Sequence, residues 1–164
     1  PVNGLRYLVP RRAGMVNGSR RRRAIFSPDM LPLLRPQMPT HFTDPRHQFG
    51  FDAEERAAAW LVEQGWRIEA HRWKLGRNDL DLIARKADLV AFIEVKARRG
   101  NWCGDGLEAL HKRKRAAIER VAWSWILRNG RAGDIYRFDA ITLRGSGPDP
   151  TIEHMEDAWR PGWR

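Results

Sequence analysis

The chain has 164 residues, 42% of them apolar, which is enough for one domain with a core of its own. Lys and Arg outnumber Asp and Glu by 30 to 20, a formal charge of +10 that favours polyanionic partners such as nucleic acid. A single cysteine, Cys103, excludes an intrachain disulfide framework and a cysteine-rich zinc site and fits a reducing, cytoplasmic setting, and no apolar run reaches signal-peptide or membrane-spanning length.

In chain order, residues 1–49 are rich in Pro, Gly and Arg and show neither helical nor strand periodicity. They read as a basic, disordered arm that cannot offset its ordering entropy by burial. Residues 1–50 hold nine arginines against Asp29 and Asp44, so most of the positive excess belongs here. The run Arg20 to Arg23 is either a solvated charge run or a grip for phosphates. From Asp52 the texture changes. Asp52 and Glu55 form a capping box, Ala53, Ala57, Trp60 and Leu61 recur at helical spacing, and Gly65 supplies a stop.

"WRIEAHRW" then alternates Trp66, Ile68 and Ala70 against Arg67, Glu69 and His71, as a half-buried strand does. "LDLIA" and "LVAFIEVKA" predict two more strands joined through "RKAD". Glycines in "GNWCGDG" break the chain, and a long helix follows from about Leu107 to Arg128, its face traced by Leu107, Leu110, Lys114, Ala117, Ile118, Val121 and Trp125. "IYRFDAITL" and "TIEHM" close the domain as strands, leaving 160–164 as a tail. The expectation is an α/β domain over 50–159, a mixed sheet of four to five strands flanked by helices in the order α-β-β-β-α-β-β.

Four acids, Asp79, Asp81, Asp88 and Glu94, and four basic residues, Arg85, Lys86, Lys96 and Arg98, crowd the predicted hairpin. On a strand, residues two apart share a face, so Glu94 and Lys96 project together, away from Ile93 and Val95. Asp79 and Asp81 share a face on the preceding strand. A two-residue turn at Ala87 and Asp88 sets Asp81 across from Glu94, and opposed carboxylates want a cation between them. Lys96 serves in part. Mg²⁺ serves better, since it takes hard oxygen ligands, often one or two carboxylates, and leaves room for water and phosphate. The pattern, Asp81 followed at a distance by Glu94-x-Lys96, is that of the PD-(D/E)xK nucleases. Surface charge pairing is the competing explanation, although an exposed ion pair contributes at most about 1 kcal/mol.

"DLDLIA…AFIEVKAR", "AEERAAAWLVEQGWRI", "GDGLEALHKRKRAAI", "RFDAI" and "IEHMEDAW" occur in the order in which similar segments run in the YraN-like, endonuclease-like family, itself distantly similar to archaeal Holliday junction resolvases. The chain resembles that family over residues 50 to about 159. It departs from it at Asn78-Asp79, where the family has Gly-Glu, and at Ala53, where the family has Gly. The resemblance implies a restriction-endonuclease-like core with Asp81, Glu94 and Lys96 in active-site positions and Glu54 added from the first helix. It implies Mg²⁺ or Mn²⁺ held by Asp81, Glu94 and the Val95 carbonyl, and a nucleic-acid substrate, DNA ahead of RNA. Lys96 would orient and help deprotonate the attacking water. Arg98, Arg99, Lys112, Arg113, Lys114 and Arg115 would clamp phosphates. A two-fold symmetric junction would suit a homodimer. Two functions compete: a metal-dependent endonuclease, and a noncatalytic nucleic-acid-binding module on the same fold.

Overall fold

The computed structural model describes residues 6–7, 20–23, 45–98, 112–145 and 149–162, with side chains from residue 48 onward. Nine elements follow in order: β1 (Arg6–Tyr7), β2 (Arg20–Arg23), α1 (Pro45–Glu63), β3 (Arg67–Leu75), β4 (Asn78–Lys86), β5 (Leu89–Arg98), α2 (Lys112–Asn129), β6 (Ile135–Arg144) and β7 (Thr151–Trp159). The sheet order is β2-β7-β6-β5-β4-β3, with β1 pairing parallel to β6. Five strands, β3 to β7, and two helices make the expected α-β-β-β-α-β-β domain. To this sheet the N-terminal arm adds two short strands for which its sequence carries no periodic signal.

The first helix starts earlier than Asp52. It opens at Pro45, whose missing N–H is no loss in a first turn, so Asp52 lies exposed inside the helix and caps nothing. Its end is as expected. Gly65 takes φ 82°, the Gly65 N–H donates to the Val62 carbonyl, and the Trp66 N–H donates to that of Leu61, the paired bonds of a glycine-terminated helix.

The hairpin register is the anticipated one. Lys86 pairs with Leu89, so Arg85 and Lys86 belong to β4 and the turn is Ala87-Asp88 alone, with Ala87 at φ 55°. β5 and β6 pair in parallel, which requires a crossover, and α2 supplies it. The long helix is described from Lys112; Leu107, Leu110, Trp102, Cys103 and His111 lie outside the described residues. β7 continues past Met155 to Trp159 through a register shift opposite Phe138 and Ala140.

Each face of the sheet carries its own core. Ala53, Ala57, Trp60 and Leu61 of α1 pack on Leu82, Ala84, Ile93, Val95 and Ile141. Ile118, Val121, Ala122 and Trp125 of α2 pack on Leu80, Ile83, Phe92 and Phe138. Each fully buried side chain of this size contributes about 1.5–3 kcal/mol of transfer free energy. In β3 and β4, alternation breaks in two places. A register shift between Ile68 and Ala70 sends Ile68 to the α1 side and Ala70 to the α2 side, although simple alternation puts them together. The second break is at the site.

Candidate active site

Leu80 packs on the α2 side and Leu82 on the α1 side, so the alternation of β4 fails at Asp81, between them. Asp79 and Asp81 therefore do not form the simple same-face pair that sequence spacing predicts. On β3 the matching break falls at Arg72, between the Leu82 partner His71 and the Leu80 partner Trp73, and Arg72 takes φ 52°. A non-glycine residue in that region is costly, by about 1–3 kcal/mol, and such residues cluster at functional sites.

The β4–β5 ladder ends at Leu82 and Ile93. One step beyond, at the level of Glu94, the Val95 N–H donates to Asp81 Oδ2 at 2.8 Å, so a carboxylate replaces a backbone acceptor. Glu94 lies on the α2 side of β5 and is 1% exposed. Its Oε1 accepts a hydrogen bond from Lys96 and lies 3.3 Å from Lys114 Nζ of α2. Its Oε2 is buried with no hydrogen-bond partner among the described residues. Asp81, Glu94 and Lys96 thus meet where sequence spacing places them. Val95 contributes its N–H to Asp81.

Glu54 reaches the same region from α1 but is held. Arg72 Nε and Nη2 donate to its two carboxylate oxygens at 2.7 and 2.9 Å, and His71 Nε2 lies 3.3 Å away without hydrogen-bond alignment. Burial alone would raise the Glu54 pKa; His71 and Arg72 outweigh it and hold the carboxyl below its usual range. Asp81 goes the other way. Burial first, then the charges of Glu94 and Glu54, push it up to about 7. Lys114 is pulled down by burial and raised further by Glu94 and Asp81, so the net direction is up and it stays an ammonium.

The basic cluster at the start of α2 divides. Lys112 and Arg113 are exposed, Lys114 turns to Glu94, and the Arg115 guanidinium lies over the Trp159 ring at 6.0 Å. Arg98 is exposed at the end of β5, and Arg99 lies outside the described residues. Sequence reading missed Arg72 and His71 because strand periodicity gives no sign of a break. It also missed a buried cluster on β6 and β7. There Asp139, 0% exposed, accepts two bonds from Arg137 at 2.8 Å and one from the Asp157 N–H, and lies 2.8 Å from His154 Nε2.

The donor set suits a hard divalent cation. A buried carboxylate oxygen without a donor, beside a second carboxylate whose charge is opposed, is relieved by a cation. Among the described residues no three His, Cys, Asp or Glu side chains gather closely enough to cage a metal unaided. An ion would therefore rest on Asp81 and Glu94 and complete its shell with backbone carbonyl and water, as Mg²⁺ often does.

The model of the uncharacterised protein family UPF0102 matches residues 53–143, a span that contains Glu54, Asp81, Glu94, Lys96 and Lys114. The chain is 38% identical over 111 residues to a UPF0102 protein of Rhodococcus jostii, covering 67% of this chain and 94% of that protein. It is 36% identical over 117 residues to one of Phocaeicola vulgatus, covering 70% and 94%. With one of Myxococcus xanthus it shares 31% over 117 residues, covering 71% and 93%. The chain belongs to UPF0102, the family that the "DLDLIA…AFIEVKAR" block resembles under the description YraN-like.

Proposed function

We propose that this protein is a metal-dependent endonuclease that hydrolyses phosphodiester bonds in nucleic acid, with branched or other non-duplex DNA as its substrate class. The observation that carries the reading is the state of Glu94, 1% exposed, with two ammonium groups at one oxygen and, among the described residues, no donor at the other. As a stability device this is poor, because a buried unsatisfied carboxylate oxygen costs about 1–3 kcal/mol. As a ligand position it is apt.

Asp81 and Glu94, with the Val95 backbone, are the groups that would hold Mg²⁺ or Mn²⁺. Bound there, the ion would supply positive charge to offset that developing on the phosphate oxygens. Lys96 donates to a water aligned for attack and favours its deprotonated form. Lys114 sets a second cation where a phosphate would bring negative charge. Glu54 and Arg72 fix each other and so hold the kink that aims Asp81. The noncatalytic binding module draws on one observation: Lys96 and Lys114 already neutralise Glu94 without a metal. Among the described residues no helix is long and apolar enough to cross a membrane.

The test is a panel of end-labelled single-stranded, flapped, four-way-junction and duplex DNA, with matched RNA strands, in Mg²⁺, Mn²⁺ or chelator. Metal-dependent products from at least one non-duplex DNA are expected. Binding without cleavage across the panel would replace the enzyme by the binding module.

A further inference from the structure

The sheet register carries a row of basic residues away from the site. Val90 and Phe92 of β5 face α2, and Glu94, Lys96 and Arg98 continue that face. Lys96 pairs with Thr142, Thr142 with Glu153, and Glu153 with Arg21. One step on, Arg98 pairs with Arg144, Arg144 with Thr151, and Thr151 with Arg23. Residues paired across strands share a face. Arg21 and Arg23 therefore occupy register positions on the face of Glu94 and Lys96, three strand spacings or about 14 Å from Lys96. Arg20 and Arg22 pair with His154 and Ile152 and occupy the opposite face, where Ile152 is 0% exposed. The acid in these rows, Glu153, lies 3.4 Å from Arg144 and is neutralised within the sheet.

We propose that β2 is the far end of a phosphate-binding track that begins at Lys96, crosses β6 and β7, and holds the backbone of one nucleic-acid strand at Arg21 and Arg23. It rests on the nucleic-acid reading above and adds to it a footprint and a polarity of residues. For a strand that keeps the duplex rise of about 3.4 Å of axis per phosphate, about 14 Å corresponds to about four nucleotides between the site and the arginines, and an extended strand spans it with fewer. A charged edge strand can also serve only to deter pairing with another sheet, and a basic tail can attract polyanions through net charge alone. Neither alternative distinguishes one face of β2 from the other. The register does.

The experiment measures binding of the full chain to a fluorescent oligothymidylate of about 20 nucleotides in chelator, across a salt series, so that no cleavage intervenes. Each phosphate contact to a single strand contributes about 0.7 to the slope of log K against log salt. The double variant Arg21→Ala/Arg23→Ala should lower the slope by about 1.4, and Arg20→Ala/Arg22→Ala should leave it unchanged. The charge-keeping pair Arg21→Lys/Arg23→Lys should restore the wild-type slope and controls for lost folding. Equal losses from both alanine pairs, or none from either, overturn the track. Wild type that shows the face-specific slope but cuts nothing in Mg²⁺ or Mn²⁺ overturns the enzyme reading and leaves the track standing; wild type that cuts, with both alanine pairs alike, does the reverse.

Discussion

Asp81→Asn removes a charge that the metal-free fold holds at a loss. Burial, then Glu94, then Glu54 push the Asp81 carboxyl from 3.8 to about 7, against the pull of the Val95 N–H and Lys96. An acid whose folded pKa lies above its unfolded value stabilises the fold fully below the unfolded value, and loses that contribution as pH rises through the folded one. A rise of roughly three units, at about 1.36 kcal/mol each, sets a ceiling of about 4 kcal/mol. Asp81 is partly open to solvent, which screens this penalty, so a difference of about 2 kcal/mol is expected. Asparagine keeps a carbonyl oxygen for the Val95 N–H, so the change is mainly one of charge. Urea unfolding in chelator should give wild type and variant equal stability near pH 4, with the variant more stable by about 2 kcal/mol near pH 8. In melting temperature that is about 5–10 °C for a domain of this size. Saturating Mn²⁺ should reverse the order, because an ion that binds the folded wild type stabilises it by mass action. Parallel stability curves from about pH 4 to about pH 8 would refute the reasoning, since no charge penalty would then reside at Asp81.

Two further predictions concern the scaffold. Asp139→Ala should cost about 3–5 kcal/mol in urea unfolding, because Arg137 and His154 lose a fully buried acceptor; an unchanged midpoint would show that the cluster adds no stability. Removing residues 1–44 should leave a cooperative thermal transition, because α1 begins at Pro45 and its core contacts begin with Phe51 and Ala53, whereas loss of the transition would put the arm in the core.

Periodicity located what periodicity encodes. Ala53, Ala57, Trp60 and Leu61 are buried on one helix face, and Ile93 and Val95 lie opposite Glu94, because helix and strand repeats translate directly into faces. The level of Asp81 and Glu94 followed from the length of the turn. The break at Arg72 and Asp81 was not legible, since it depends on two strands deviating at one level, and neither Arg nor Asp marks a kink as Gly would. The start of α1 at Pro45 was hidden because Asp52 and Glu55 imitate a capping box inside a longer helix. Lys114 read as the basic interruption of an apolar helix face and as one of a phosphate clamp; its place against Glu94 is a tertiary contact between α2 and β5 that local sequence does not encode.

The central claim is that Glu94 holds an ion while Lys96 acts on water, and it is tested most directly by Mn²⁺ titration and single-turnover cleavage on the same preparations of Glu94→Gln and Lys96→Ala. The account predicts that Glu94→Gln loses both the ion and cleavage. Lys96→Ala should keep ion and nucleic-acid binding and cut at least about 100-fold more slowly, the usual size of a lost proton-transfer role. Cleavage by both variants at the wild-type rate would contradict it.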